Sequence, residues 1–475
     1  CDEASGECKS RVCAPGLFDK CTDDGLQRYC NPSGTGYIEA ACPGNAPCED
    51  GRCGMAECNV GAVRCAGLDG LEVCNGAGAW VQGEMCPLGS ECFNGVCEEL
   101  CELNKKVSSY IGCEYWSVDL DNYDDALSQP HAIVVTNPNP ELTAEVTITP
   151  GYSDNQLTTA HDGSPFELSI PPGEARIYSI PTGYDHSGSR RLQDRALRVL
   201  SSIPIIAHQF NPLGNEGVYS NDASLLLPVN TLGVEYYALN VPSRPEVCFM
   251  GTCFDPYYAY VTVLATEPGE TVLNVTPTAR IAAGEPNINS IPPGVAATFR
   301  LQRGEVLNLQ VGETSLTANQ DLSGTHIIAT QPVAVFSGHE GSVIGETSDS
   351  CCAEHLEQQL FPIKDWGKTY IAAISPGRGI KKDHWRIIAG EDNVTLTTNP
   401  PQDGANNVTL NKGEFVKFFS ADSFEINATG KIQVGQFLVG QEETSRAVGD
   451  PAFILNVPVE RFREDYLALI PDGYT

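Results

Sequence analysis

The sequence lacks the features of a nucleic-acid-binding or membrane-spanning protein. It has 29 Lys and Arg residues against 61 Asp and Glu residues among 475, which gives a formal net charge of −32. A field of this sign repels phosphate backbones and anionic lipid headgroups, so nucleic acid is not an expected partner. No run of about 18 uncharged apolar residues is present, and apolar windows such as 199–210 have the length of strands.

Catalytic signatures are missing as well. The sequence contains no Gly-x-Ser-x-Gly motif, no P-loop, no Gly-x-Gly-x-x-Gly after a strand and no His-Glu-x-x-His helix. His339, Glu340, His355 and Glu357 lack the spacing of a zinc-protease site, and a role in turns and interfaces is favoured over an acid–base or metal cluster. We therefore predict a protein that is not an enzyme, with a hydrolase on a β scaffold as the last alternative.

Cysteine is scarce after residue 113 and dense before it, because sixteen of the 20 cysteines fall in the first 113 residues. Such a density predicts export to an oxidising space. Six cysteines recur at a shift of 44 or 45 residues, so units of about 8–52 and 53–96 are predicted, each with three disulfides in one shared connectivity. Zinc is disfavoured because residues 1–113 contain no histidine and no Cys-x-x-Cys pair.

Every cysteine except the first is a disulfide candidate: Cys8, Cys13, Cys21, Cys30, Cys42, Cys48, Cys53, Cys58, Cys65, Cys74, Cys86, Cys92, Cys97, Cys101, Cys113, Cys248, Cys253, Cys351 and Cys352. Cys1 is either a lipidated N-terminal residue, as in bacterial lipoproteins, or an ordinary half-cystine, and both interpretations stay open. Cys248 and Cys253 either close a hairpin or are cross-linked to Cys351 and Cys352, and the cross-link is preferred.

The remainder of the chain has β-branched runs broken by Pro-Gly and Asn-Pro turns, which predict strands. Helices are expected only at 353–359 and 459–465. Each β unit repeats a tyrosine near its start, a Val-rich strand, and a proline near its end that we call the exit proline. The strands at 204–207, 332–335 and 432–434 are predicted to occupy equivalent positions in the three units. The predicted parts are 1–107 (disulfide repeats), 108–235, 236–369 and 370–465 (β units 1 to 3), and 466–475 (the start of a fourth unit).

We therefore predict an all-β fold, with tandem β-sandwich-like repeats preceded by small disulfide-rich repeats. About seven strand-like runs per unit favour a sandwich over a propeller blade, and a β-propeller is the alternative.

An acidic segment opens the first β unit. Asp119, Asp121 and Asp124 stand close together with further Asp and Asn residues, and such oxygen ligands suit Ca²⁺. The EF-hand pattern is absent, because the sixth position is not Gly and the twelfth is not Glu. A solvated turn is favoured over this calcium site, and no other cofactor is expected.

Three motifs carry a family resemblance: Asp321-Leu-Ser-Gly-Thr325, Gln331-Pro-Val-Ala-Val-Phe-Ser-Gly338 and His355-Leu-Glu-Gln-Gln-Leu-Phe-Pro362. With them, residues 108–475 resemble the N-terminal domain of the IgG Fc-binding protein family, which includes a vertebrate mucus protein and exported surface proteins of myxobacteria. The chain resembles the bacterial, myxobacterial type of exported surface protein. The resemblance implies extracellular binding in mucus, matrix or at a cell surface, with no catalytic residues to carry over.

We expect an exported binding or adhesion protein that is secreted or anchored at the cell surface and acts by surface contact. Its partner would be a protein or glycan of a cell surface, mucus or matrix. A glycan-binding module is the first alternative and would need exposed Trp or Tyr side chains. The inserted loops 151–166, 276–290 and 339–354 are the predicted contact regions.

Overall fold

Strands dominate the part of the chain that the structure describes, which confirms the predicted all-β fold class. The computed structural model describes residues 12–42, 48–49, 52–53, 58–75, 78–151, 153, 155–214, 220–244, 247–249, 252–312, 320–346, 353–379, 382–464 and 466–467. The chain divides into two compact parts, Cys1–Lys106 and Val107–Thr475. No helix in the described ranges is long and apolar enough to cross a bilayer.

The N-terminal part contains two copies of one small module, each with a three-stranded antiparallel sheet and a short hairpin. The strands are β1 (Phe18–Cys21), β2 (Leu26–Cys30), β3 (Tyr37–Ala41), β4 (Cys48–Glu49), β5 (Arg52–Cys53), β6 (Val63–Cys65), β7 (Gly70–Cys74), β8 (Trp80–Met85), β9 (Ser90–Phe93) and β10 (Val96–Glu99). A single short helix, α1 (Leu100–Asn104), follows.

Disulfides hold the sheets of these modules together, as expected for units of this size. Four described bonds form two equivalent pairs: Cys13–Cys30 with Cys58–Cys74, and Cys21–Cys48 with Cys65–Cys92. A further bond, Cys86–Cys97, ties the sheet of the second module to β10. Cys42, Cys101 and Cys113 are also disulfide-bonded. Cys1 and Cys8 lie outside the described residues.

The second part consists of three β units. The first contains β11 (Gly112–Val118), β12 (Ala132–Thr136), β13 (Ala144–Pro150), β14 (Ser169–Ile170), β15 (Ala175–Ser179), β16 (Arg190–Leu192), β17 (Ala196–Asn211) and β18 (Asp222–Leu225). The second contains β19 (Gly233–Tyr237), β20 (Val247–Phe249), β21 (Thr252–Phe254), β22 (Ala259–Ala265), β23 (Glu270–Thr276), β24 (Ala297–Gln302), β25 (Val306–Gln310), β26 (His326–Ser342) and β27 (Glu354–Gln359).

The third unit contains β28 (Gly367–Ala372), β29 (Asp383–Ala389), β30 (Val394–Asn399), β31 (Val408–Leu410), β32 (Phe415–Ser420), β33 (Phe424–Leu438) and β34 (Ala452–Leu455). Short 3₁₀ turns lie at Asp124–Ser128, Val229–Thr231, Ile363–Asp365, Gln441–Glu443 and Val459–Arg461.

One long strand organises each unit, because its two halves pair with different strands of one antiparallel sheet. The first half of β17 pairs with β11 and β13, and its second half pairs with β12 and β18. The long strands β26 and β33 pair in the same way. Ile205, Val333 and Ile432 occupy the same register position in the three long strands, which confirms the predicted equivalence of these segments.

The two predicted helices are wrong. Residues 354–359 form β27, which pairs with β26, and the other segment contains only the 3₁₀ turn Val459–Arg461. Glu, Gln and Leu favour helix locally, but pairing with distant strands outweighs this small preference.

Candidate functional site: the seam between the first two β units

Most of the polar residues that the sequence singles out lie where β units 1 and 2 meet. We call this contact the seam, and it is formed by β16 and β18 of the first unit against β25 and β27 of the second. β16 extends the sheet of the second unit, because it pairs antiparallel with β25. Arg191 reinforces that pairing, since its Nη2 atom lies 2.8 Å from Glu305 Oε2.

β27 pairs with β26 on one edge, and on its other edge side chains of the first unit take the place of a partner strand. The hydroxyl of Ser220 accepts a hydrogen bond from the amide of His355 at 2.6 Å. Asp222 Oδ2 accepts from the amide of Glu357 at 3.0 Å, and the hydroxyl of Ser224 accepts from the amide of Gln359 at 2.7 Å. Because side chains alternate along a strand, these three acceptors at every second position point to the same side, where they meet the edge of β27.

Two carboxyl groups meet across the seam. Asp121 of the first unit and Glu340 of the second are hydrogen-bonded to each other. Asp121 Oδ2 accepts from the amide of Gly188 at 2.9 Å, and Glu340 Oε2 accepts from the amide of Tyr258 at 2.9 Å. Burial raises the pKa of both groups, and the charge of Asp121 raises that of Glu340 further. A shared proton avoids two adjacent buried negative charges.

Another carboxyl group of the seam, that of Glu357, is fully buried. Gln209 Nε2 donates to its Oε1 atom at 3.2 Å, and His355 Nε2 lies 3.3 Å from its Oε2 atom. Burial raises the pKa of Glu357 well above its usual value, although the bond from Gln209 opposes this. The same burial lowers the pKa of His355 to about 3, so both side chains favour their neutral forms.

Further titratable groups surround this pair. His131 Nδ1 lies 3.5 Å from Asp119 Oδ2, and burial lowers the pKa of His186 to about 4 and that of His339 to about 3. The hydroxyl of Tyr260 is buried near the carboxyl groups of Asp121, Glu340, Glu357 and Asp222, and burial raises its pKa well above the usual value. Neutral groups with hydrogen bonds are far less costly to bury than ions.

The favoured interpretation of residues 119–122 as a solvated turn is wrong. Asp119 is 4% exposed and Asp121 is fully buried, because the second unit covers them. Asp119 lies against His131, and Asp121 lies against Gly188 and Glu340. The side chain of Asp124 is outside the described residues. Among the residues that are described, no group of three or more His, Cys, Asp or Glu side chains has a metal-binding arrangement.

His339, Glu340, His355 and Glu357 are brought together, and all four lie in the seam or at its border. The contact loop predicted at 339–354 is shorter than expected, since 339–342 belong to β26 and are buried. Deleting the whole segment would therefore remove core residues. Cys248 and Cys253 face each other across the β20–β21 hairpin in backbone register, and Cys351 and Cys352 lie outside the described residues. Their pairing stays a prediction.

Several seam residues were not singled out from the sequence, among them Gln209, Asp222 and Tyr260. A signal for Asp222 was present, because Ser220, Asp222 and Ser224 alternate with other residues in a segment next to an apolar run. Small acceptors at every second position of a strand indicate one polar edge. Gln209 and Tyr260 lie in apolar strands and gave no such signal.

Two cavities lie elsewhere in the second part of the chain. An apolar cleft of about 120 Å³ forms where Pro362 and Pro458 approach Leu227, with Tyr110 and Tyr466 at its border. A cavity of about 330 Å³ between units 2 and 3 is lined in part by His384, Arg386 and Lys417. Neither cavity adjoins the carboxyl groups of the seam.

The chain was compared with known proteins. The family model described as IgGFc binding protein matches residues 222–475, which is more than half of the chain and covers β units 2 and 3. The human IgGFc-binding protein is 22% identical over 351 residues, which are 73% of this chain and 6% of that protein. The chain thus spans only a small fraction of this relative's length. Because the family model spans β18 and both following units, the chain belongs to the IgGFc-binding protein family.

Proposed function

We propose that the chain is an extracellular protein that binds other proteins by surface contact and catalyses no reaction. The observation that carries this proposal is the closure of the seam. Its carboxyl groups and histidines resemble an acid–base site, yet Asp121, His355 and Glu357 are fully buried, and Glu357 accepts a hydrogen bond from Gln209 of the first unit. Catalysis needs a cleft that a substrate can enter, whereas contact functions need only exposed loops on a rigid frame.

The loop 155–165 of the first unit is the best candidate for the contact surface. Its residues are mostly exposed, while its backbone is held by bonds from Leu157 N to Ile148 O and from His161 N to Ser179 O. Asp162 closes the tip by accepting from the amide of Ser164 at 2.9 Å. A loop that is already ordered loses little conformational entropy on binding.

The predicted contact loop at 276–290 is a weaker candidate. Ile281 is 1% exposed and Ile288 is 4% exposed, so this loop packs into the second unit rather than presenting an apolar surface. A glycan-binding function receives little support, because three of the four tryptophans, Trp116, Trp366 and Trp385, are buried and unavailable as stacking platforms. Trp80 is half-buried, with the guanidinium group of Arg64 over its ring.

The partner is proposed to be a protein of mucus, matrix or a cell surface. The name of the human relative makes the Fc part of IgG one candidate. The net charge of −32 favours partners with basic patches, which would be attracted over a distance set by the salt concentration. A lipid anchor at Cys1, a surface location and a myxobacterial type of protein remain predictions.

Binding of the immobilised chain to purified mucin, IgG Fc and matrix proteins tests the proposal. We expect binding to at least one of these, and a loss of about tenfold or more in affinity when 155–165 is replaced by a short Gly-Ser linker. The same replacement of 421–423, an exposed loop of the third unit, serves as the matched control and should leave binding unchanged.

Enzymatic removal of glycans from the partner separates protein from glycan recognition. Binding that survives this treatment supports a protein partner, and binding that disappears supports the glycan alternative. Absence of binding throughout the panel, or turnover in a hydrolase screen that a Glu357→Gln substitution abolishes, would contradict the proposal.

A further inference from the structure

Consecutive β units contact each other in the same way twice. In each contact, the turn before β25 or β32 packs against the first strand of the preceding unit, and we call these elements the docking turn and the docking face. Arg303 Nη2 lies 2.8 Å from Glu114 Oε1 in the first contact. Lys412 Nζ lies 2.8 Å from Glu235 Oε1 in the second.

The glycine that follows each basic residue makes the approach close. A Cβ atom on Gly304 would lie 2.8 Å from Gly151 of the preceding unit, and one on Gly413 would lie 2.9 Å from the ring of Tyr237. Both glycines have a positive φ, at +80° and +79°. The docking turn therefore depends on glycine for its conformation and for its contact.

Each docking face carries a large aromatic residue that the following unit covers. Trp116 is 1% exposed, with the guanidinium group of Arg303 above its ring, and Tyr237 is 6% exposed beneath Gly413. When the three units are aligned on Tyr115, Tyr236 and Tyr370, Ile371 of the third unit is equivalent to Trp116 and Tyr237. Its side chain is 50% exposed, so the third docking face is open.

The first unit has the complementary open element. Its docking turn is Pro171-Pro172-Gly173-Glu174, and a Cβ atom on Gly173 would meet no described atom within 4 Å. Gly173 has the same positive φ, at +72°, as its equivalents in the covered turns. The described part of the chain thus contains one unoccupied turn and one unoccupied face of the same type.

Charge distinguishes the open halves from the occupied ones. The two occupied contacts pair a basic turn residue with an acidic face residue, whereas Pro172 and Thr369 hold these positions in the open halves. A contact between the two open halves would therefore form without the ion pair of the occupied contacts. The open turn and the open face match each other, because neither Pro172 nor Thr369 carries a charge.

We propose that the chain self-associates head to tail, with the docking turn of the first β unit of one copy on the docking face of the third β unit of a second copy. This contact would repeat the pairing of a docking turn with a docking face that the chain already forms twice. Because the two surfaces differ, association does not end at a pair, and it generates open chains or closed rings.

A fourth β unit of the same chain is the rival occupant of this face. The amide of Arg463 donates to the hydroxyl of Tyr466 at 2.8 Å, as the amide of Gly233 does to Tyr236 at 2.9 Å. Tyr466-Leu-Ala-Leu also repeats the sequence Tyr236-Tyr-Ala-Leu. A face that is covered within the chain would leave the protein monomeric.

Sedimentation velocity of the full chain over about a hundredfold range of concentration, around the micromolar affinities of small interfaces, tests the proposal. We expect the mass to rise beyond one chain with concentration. Ile371→Glu should weaken association about tenfold or more, because it places a charge at the centre of the contact. Val295→Glu is the matched control, since Val295 is also 50% exposed but lies in a loop of the second unit.

Mixing two disabled chains gives the sharper result. Pro172→Glu blocks the turn, because its carboxylate would approach Glu460, which accepts from the amide of Thr369 at 3.2 Å. The Ile371→Glu chain keeps its turn and the Pro172→Glu chain keeps its face, so an equimolar mixture should stop at two chains. A single-chain mass at every concentration, or equal effects of Ile371→Glu and Val295→Glu, would overturn the proposal.

Discussion

The hydroxyl of Tyr236 donates a hydrogen bond to the carbonyl oxygen of Val333, 2.7 Å away and 97 residues further along the chain. Tyr115 makes the same bond to Ile205, and Tyr370 makes it to Ile432, both at 2.6 Å. In every unit the tyrosine spans a register shift between the first strand and the long strand. The bond therefore satisfies a carbonyl that an irregular ladder leaves exposed to an apolar interior.

Tyr236→Phe should destabilise the second unit by about 1–3 kcal/mol, because the carbonyl of Val333 loses this donor and the amide of Gly233 loses its acceptor. Tyr237→Phe is the matched control, since the neighbouring ring packs on Gly413 through its carbon atoms. Urea unfolding followed by tryptophan fluorescence measures both. Equal stability of Tyr236→Phe and the native chain would show that the hydroxyl contributes nothing.

Gly233→Ala should destabilise the fold by about 1–3 kcal/mol through overpacking. A Cβ atom at this position would lie 2.4 Å from Cβ of Pro362, the exit proline of the same unit, so backbone has to move. Gly214→Ala, where a Cβ atom meets no described atom within 4 Å, is the control and should change the midpoint little. The comparison is made by thermal and urea denaturation of the three chains.

Asp121→Asn should flatten the pH dependence of stability between pH 7 and 9. Burial and the charge of Asp121 raise the pKa of Glu340 to about 9 in the folded chain, so that in this range the folded chain holds a proton that the unfolded chain has released. The pKa of Asp121 is about 7, so its own contribution is lost mostly below this range. Stability then falls as pH rises, by about 1.4 kcal/mol per pH unit for each proton held. The side-chain amide introduced by this substitution can donate to Glu340 without a titratable proton, so this loss should become smaller.

The buried histidines change the stability with pH in the opposite direction and at lower pH. Their pKa values are lowered in the folded chain, so their contribution is present above about pH 6.5 and lost as pH falls. Asp162→Asn, on an exposed turn where the Ser164 hydroxyl lowers the carboxyl pKa, is the control and should leave the slope between pH 7 and 9 unchanged. A slope equal to that of the native chain in Asp121→Asn would contradict the shared proton.

Asp321→Ala should cost about 3–5 kcal/mol, because it leaves a buried charge on Arg386 without its partner. Arg386 is 1% exposed, and its Nη1 atom lies 2.7 Å from Asp321 Oδ2, across the contact between units 2 and 3. The double variant Asp321→Ala with Arg386→Met should recover much of the loss. Glu270→Ala, which breaks an exposed pair with Arg300, is expected to cost about 0–1 kcal/mol.

Cys42 should be paired with Cys53. The second module closes with Cys86–Cys97, and a shift of 44 residues places Cys42 and Cys53 at the same positions. Cys42 is disulfide-bonded in the structure. Peptide mapping without reduction should recover this bond, and its removal by paired Cys→Ser substitutions should cost about 2–4 kcal/mol. A peptide that links Cys42 to any other cysteine would show that the modules differ.

The boundary between the disulfide modules shows what the cysteine spacing alone can predict and what it cannot. The shift of 44 or 45 residues predicts a repeat, and two bonds are indeed shared by both copies. Spacing also places Cys97 outside the predicted second unit, 53–96, whereas the structure bonds it to Cys86 of that unit. The reason is that β10 returns beside β9, with Cys97 opposite Cys92, so a cysteine after the sheet lies next to it in space.

By itself the sequence determined the strand content, the disulfide-rich N-terminal part and the repetition of the β units. These follow from local rules, namely β-branched runs, turn residues and cysteine spacing, which act over a few residues. The exposure of Asp121, the neutral state of Glu357 and the strand formed by 354–359 were decided only by the tertiary structure. The two carboxyl groups are desolvated by residues more than a hundred positions away in the unit that packs against them. The strand 354–359 pairs with β26 of its own unit on one edge and with side chains of the first unit on the other.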